Sequence, residues 1–213
     1  MEKEMDKFSR FFEDNPQLQS QRGNVEAVVS FIVTSCREGG KLLVCGNGGS
    51  AADSEHIVGE LMKGFLSRRP LLKEEQDMIK ASCAEDGDYL VSHLQRPVPA
   101  ISLVSQSALI SAFSNDVAAD TVYAQQVLGY GRKGDVFLGI STSGNSMNVV
   151  YAAELSKAMG LRTVAMTGAR DSKLSAISDI TLRSPRTETF QVQEDHLRLY
   201  HLICARVEEA LFG

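Results

Sequence analysis

The stretch Leu42-Leu43-Val44-Cys45-Gly46-Asn47-Gly48-Gly49-Ser50 decides the fold. A short apolar run of strand character meets glycines and a hydroxyl, and a helix-like stretch begins near Ser50. The same order returns at Val136-Phe137-Leu138-Gly139-Ile140, which runs into Ser141-Thr142-Ser143-Gly144-Asn145-Ser146 and then another helical pattern. Each loop opens a helix, where unsatisfied N–H groups and the positive end of the peptide dipole favour an anion. Two such cradles on one sheet suit a phosphate-bearing ligand. An aromatic content of 7% with no Trp suits a polar ligand better than a flat apolar one.

Outward from these two junctions, three more apolar runs follow the same strand-then-helix order: Val98 to Leu103, Thr163 to Met166 and Asp179 to Leu182. Alternation of this kind predicts a parallel sheet of five strands with helices on both faces. Before the first strand, 6–13 and 23–37 have helical spacing, and Val25, Val28, Val29, Ile32 and Val33 form an apolar stripe that ends at Gly39-Gly40. The N-terminal helices thus occupy about 1–38, and 187–211 reads as one long closing helix. Between 67 and 97 the pattern breaks at Arg68-Arg69-Pro70, Lys73-Glu74-Glu75 and Glu85-Asp86-Gly87-Asp88. That charged insertion, with a short helix at its middle, reads equally as a lid or partner contact and as a solvated excursion.

The 213 residues suffice for one α/β domain. A net charge of -5 with scattered basic residues argues against an extended nucleic-acid surface. The absence of a long apolar span argues against a membrane partner, and the charged start, Met1 to Lys7, against a signal sequence, so a cytoplasmic protein is expected. Cys36, Cys45, Cys83 and Cys204 lack metal or redox spacing and read as reduced thiols.

Gly46-x-Gly48-x-x-Ala51 satisfies a loose dinucleotide fingerprint, but no acidic residue follows the second strand, where Val104-Ser105-Gln106 stands. A P-loop fails because no Lys follows the glycines. The glycines also fit a plain tight turn between strand and helix. The second loop is more informative: Ser141, Thr142, Ser143 and Ser146 offer hydroxyls around Gly144, as neutral donors to a small phosphate monoester, whereas a bare N-cap needs only one hydroxyl. His56 and Glu60, four apart, share one helix face, and Gln193 and His201, two turns apart, share another. Either pair alone reads as ordinary packing; beside two phosphate loops each gains weight as a functional pair.

Taken together, GNGGSAADSEHIVGEL, the SND around Asp116, GISTSGNSMNVV, VAMTG and TETFQVQEDHLRLYH resemble the SIS (sugar isomerase) domain, and within it the phosphoheptose isomerases. The resemblance runs from about 24 to 211 outside the insertion. It implies a flavodoxin-like three-layer α/β/α sandwich, a single SIS domain over 1–213, and a homotetramer with active sites between subunits. It also implies an aldose–ketose isomerase that converts sedoheptulose 7-phosphate into D-glycero-D-manno-heptose 7-phosphate through an enediol. On this resemblance Asn47, Ser50 and Asp116 line the sugar pocket, and Ser141, Ser143 and Ser146 hold the phosphate. Gly48, Gly49, Asn115, Thr142 and Gln193 complete the substrate-binding set. Glu60 and His201 match the catalytic acid/base pair, and His56, Glu60, Gln193 and His201 match the Zn2+ ligands of metal-bearing relatives.

Two departures stand out. The insertion exceeds the short RP-containing turn of the family. The stretch Thr187-Glu188-Thr189-Phe190-Gln191 replaces one where an Asp is common, with Glu188 the nearest carboxylate. A different phosphosugar remains open, as does a non-catalytic SIS regulator or scaffold; the presence of both Glu60 and His201 favours the enzyme.

Overall fold

The computed structural model describes residues 7–213. In chain order it contains α1 (Lys7–Asp14), α2 (Arg22–Arg37), β1 (Leu42–Gly46), α3 (Gly49–Met62), α4 (Lys73–Ser82), α5 (Gly87–His93), β2 (Ala100–Ser102), α6 (Ser107–Phe113) and α7 (Val122–Tyr130), followed by β3 (Val136–Ile140), α8 (Met147–Ala158), β4 (Arg162–Thr167), α9 (Lys173–Ile177), β5 (Ile180–Arg183) and α10 (Thr189–Phe212). The five strands are parallel in the order β2-β1-β3-β4-β5. This is the flavodoxin-like doubly wound order, whose ligands bind outside the carboxyl ends of the strands.

Strand residues alternate between two cores because successive side chains leave a strand on opposite faces. Leu42, Val44, Leu138 and Met166 pack with Val28, Ile32, Ile57, Leu199 and Val207, which places α2, α3 and α10 on one face. Leu43, Cys45, Phe137 and Ala165 pack with Val127, Val149, Ala153 and Leu174, which places α7, α8 and α9 on the other. Burial on both faces explains why β1 and β3 read as unbroken apolar runs.

The opening helix expected from Asp6 begins, within the described residues, at Lys7 and ends at Asp14. The second strand is shorter than Val98–Leu103: only Ala100–Ser102 are strand, at the sheet edge, because Pro97 and Pro99 have no N–H to give a ladder. The charged segment carries two helices rather than one. α4 buries no residue and α5 buries only Gly87, so neither had an apolar stripe to read. Among the described residues no helix is long and apolar enough to cross a membrane.

Candidate functional site

Both glycine and serine loops lie at the carboxyl edge of the sheet. Gly46 must be glycine because a Cβ there would lie 2.5 Å from the Ser50 carbonyl oxygen, and Gly48 turns the chain at φ 56°. Tyr123 donates from its hydroxyl to the Gly46 carbonyl at 2.8 Å. The amides of Asn47 and Asn148 exchange two hydrogen bonds of 2.9 Å and tie the first loop to the second. In the second loop the Ser141 hydroxyl donates to Ser146 Oγ at 3.2 Å, and the Gly144 N–H donates to Ser141 Oγ at 3.1 Å.

The loops enclose a cleft of about 330 Å³ between the N-termini of α3 and α8. Asn47, Gly48, Gly49, Ser50, Ser141, Thr142, Ser146 and Gln193 line it, joined by Ile140 and Thr189. Among the described residues the lining holds no Lys or Arg. A phosphate here would rest on hydroxyls, main-chain N–H groups and two helix dipoles. Ser143 instead lines a neighbouring cleft of about 200 Å³, with Arg170 and Arg186, and Thr142 and Thr189 form the wall between the two. Asn115 and Asp116 lie in the exposed π-helical turn Ser114–Ala118, bonded to each other at 2.8 Å, and do not line the cleft. Glu188 is exposed at the N-cap of α10, also outside the lining.

A second group of side chains gathers further along α3 and α10, which pack together. His56 Nε2 lies 3.2 Å from Glu60 Oε1, and Lys63 donates to Glu60 Oε2 at 2.7 Å. The His56 and His201 rings meet edge to face at 5.0 Å, and Phe65 covers His201 at 5.7 Å. The Lys63 hydrogen bond, reinforced by charge from Lys63 and His56 against a smaller burial effect, holds the Glu60 carboxyl below its ordinary range. Burial, then repulsion from His56, pulls the His201 pKa below its ordinary value, while Glu60 works the other way. Glu60 is therefore ionised at neutral pH and His201 neutral, as a base and a proton shuttle require. Gln193, eight residues before His201, lies about 12 Å back along α10, beside Gly49 in the cleft between the two loops.

His56, Glu60, Gln193 and His201 are donor types that zinc accepts. His201 Nε2 is buried and, among the described residues, has no hydrogen-bond partner, which fits a nitrogen meant for an ion. As placed, however, no three His, Cys, Asp or Glu side chains among the described residues are close enough to hold one. The fit is one of donor chemistry, with Gln193 about two turns of α10 away from the other three.

Sequence spacing missed Lys63, Tyr200, Asp53 and Thr189. Asp53 had a legible signal, since Asp53, His56 and Glu60 form a polar stripe at i, i+3 and i+7.

A profile of the SIS domain matches residues 14–96 and 91–168. A phosphoheptose isomerase from Geobacter sp. (strain M21) is 37% identical over 188 residues, 88% of this chain and 84% of the relative. The chain belongs to the phosphoheptose isomerase family. Solved structures of phosphoheptose isomerases agree with this membership at the level of the backbone. That from Francisella tularensis gives a TM-score of 0.74 at 27% identity, covering 96% of this chain and 97% of its own. That from Neisseria gonorrhoeae gives 0.73 at 28%, covering 95% of each.

Proposed function

We propose that the chain is an aldose–ketose isomerase acting on sedoheptulose 7-phosphate to give D-glycero-D-manno-heptose 7-phosphate. One observation carries the reading: Glu60 from α3 and His201 from α10 gather around His56, about two helical turns along α10 from the uncharged cleft that the two loops form between the N-termini of α3 and α8. That separation suits a sugar with its carbonyl at one end and its phosphate at the other.

Ser141, Thr142, Ser146 and the main chain of the glycine loop hold the phosphate, and Asn47, Ser50 and Gln193 orient the sugar hydroxyls. Ser143, Asn115 and Asp116, which lie off this cleft, belong to the proposal through the family resemblance alone. Glu60 removes the proton from C1 of the ketose, which leaves the 1,2-enediol, and returns it to C2. His201 carries the matching oxygen proton from O1 to O2, so C1 becomes the aldehyde and O2 a hydroxyl. Phe65 over His201 limits water at the reacting carbons. Zinc, if held by His56, Glu60 and His201, would polarise the carbonyl oxygen as a Lewis acid.

The proposal includes a single SIS domain working in the cytoplasm as a homotetramer with active sites between subunits. The exposed positions of Asp116, Val117 and Phe190 support shared sites, because a facing subunit can cover them. The test is incubation with sedoheptulose 7-phosphate and detection of a reducing aldose phosphate. Absence of product across several ketose phosphates, with binding retained, would replace the enzyme by a phosphosugar-binding regulator.

A further inference from the structure

His56 is held from both sides. Its Nε2 faces Glu60 Oε1, and its Nδ1 lies 2.9 Å from the Tyr200 hydroxyl. The same hydroxyl donates towards Asp53 Oδ1 at 3.3 Å. Tyr200 is buried to 1% exposure, and its ring meets His56 edge to face at 5.5 Å and His201 at 4.9 Å. Asp53, one turn before His56 on α3, has its second carboxylate oxygen buried and, among the described residues, without a partner. Leaving a buried carboxylate oxygen unpaired costs free energy, so its survival beside a tyrosine hydroxyl calls for a use.

We propose that Tyr200, backed by Asp53, is a positioning residue: its hydroxyl holds His56 by Nδ1 so that Nε2 is turned onto Glu60, which fixes the carboxylate for proton abstraction. This rests on the reading of Glu60 as the base. The hydrogen-bond arithmetic supports it. An imidazole ring that hangs from its own helix by two torsions can flip, and each flip exchanges the nitrogen presented to Glu60 for a carbon. A hydroxyl beyond Nδ1 removes that freedom. A carboxylate oxygen only accepts, so the 3.2 Å contact is a hydrogen bond when Nε2 carries a proton. The Tyr200 hydroxyl proton can then lie on Nδ1, or on Asp53 if the imidazole carries both protons. Either arrangement leaves Nε2 on Glu60. Asp53 and Tyr200 are not among the residues that line the cleft between the loops, so their hydrogen bonds act at the His56 end.

The experiment compares wild type with Tyr200→Phe, Asp53→Asn, His56→Gln and the Tyr200→Phe/His56→Gln double variant. Partners one bond behind a functional imidazole are worth about 10- to 100-fold when removed. Tyr200→Phe should lower kcat by about that factor while KM for sedoheptulose 7-phosphate stays within about twofold, because the phosphate contacts are untouched. Asp53→Asn should lower it less. The double variant should be no slower than His56→Gln alone, since Tyr200 acts through His56. Equal multiplicative losses in the double variant, or a Tyr200→Phe kcat within twofold of wild type, would overturn the proposal.

A second arm needs no turnover. In histidine-labelled protein, the His56 nitrogen resonances of Tyr200→Phe should move towards values averaged over two tautomers while those of His93, on α5, stay; unmoved His56 resonances would overturn it. If the wild type shows no isomerase activity, the proposed function falls and these spectra alone decide whether Tyr200 positions His56.

Discussion

Removing the Glu208 carboxylate should unfold the chain far more readily than its place near the end of α10 suggests. Glu208 Oε1 accepts from the Phe65 N–H at 2.8 Å and from Arg69 Nε at 2.7 Å; Oε2 accepts from the Leu66 and Ser67 N–H groups at 2.7 and 3.1 Å. The pair is almost sealed, with the Arg69 side chain 0% and the Glu208 side chain 4% exposed. Burial alone would raise the Glu208 pKa, but the N–H groups of Phe65 and Leu66 and the Arg69 guanidinium outweigh it and hold the carboxyl below its ordinary value. Glu208→Ala leaves a buried guanidinium and three main-chain N–H groups without their acceptor, and breaking a buried pair from one side costs about 3–5 kcal/mol. For urea unfolding with a slope of about 2–3 kcal/mol/M, the midpoint should fall by about 1–2.5 M. Arg69→Met should also destabilise. The double variant Glu208→Ala/Arg69→Met should be milder than the two losses added, because neither charge is then stranded. A Glu208→Ala loss below about 1 kcal/mol, or strictly additive losses, would refute the reasoning. The same loop carries Phe65, so kcat should fall with the midpoint when the fold is still intact.

Four other outcomes are expected. Glu60→Gln and His201→Ala should each lower kcat by about 10²–10⁴-fold, as loss of a general acid or base does, with phosphosugar affinity by titration calorimetry nearly unchanged; a variant that keeps its rate removes that residue from its role. Ser141→Ala should weaken phosphosugar binding about tenfold or more, since a hydrogen bond to a charged group is worth about 1.5–3 kcal/mol; an unchanged Kd would place the phosphate elsewhere. His196 donates from Nε2 to the Thr167 carbonyl at 3.1 Å, and burial pulls its pKa down to about 4. Its unfolded form takes a proton near pH 6.5, so the fold should lose up to about 3 kcal/mol between pH 6.5 and 4, and His196→Gln should flatten that slope in acid denaturation. If zinc takes part, a chelator should lower turnover and zinc alone restore it, with metal analysis near one ion per chain; a chelator-insensitive rate would remove the metal from the proposal.

The two loops and the sheet were legible because their signals are local. The β1 and β3 runs are apolar throughout, and each meets its hydroxyl or glycine loop within a few residues. The His56–Glu60 and Gln193–His201 pairs were legible from helical spacing; the structure brings His201 to His56 and leaves Gln193 in the cleft beside Gly49. Long-range pairings were not. Arg69 and Glu208 are 139 residues apart, and Tyr200 and Asp53 147; no spacing rule links a charge or a hydroxyl across such distances. The turn at Gly144, with φ 66°, belongs to the loop in which Ser141 and Ser143 line different clefts, a division that a run of hydroxyls does not reveal. One of the two helices in the charged insertion went unread because amphipathic periodicity announces burial, and α4 buries nothing while α5 buries only Gly87.

α10 presents Gln193 to the cleft, Tyr200 and His201 to His56 and Glu208 to the loop after α3, all from one unbroken rod of 24 residues. Because a helix advances about 100° per residue, deleting or adding a single residue between 193 and 201 would swing every later side chain a quarter-turn out of phase. Evolution can exchange individual letters along this segment, but its length is frozen, and homologues should differ here by replacement and never by gaps.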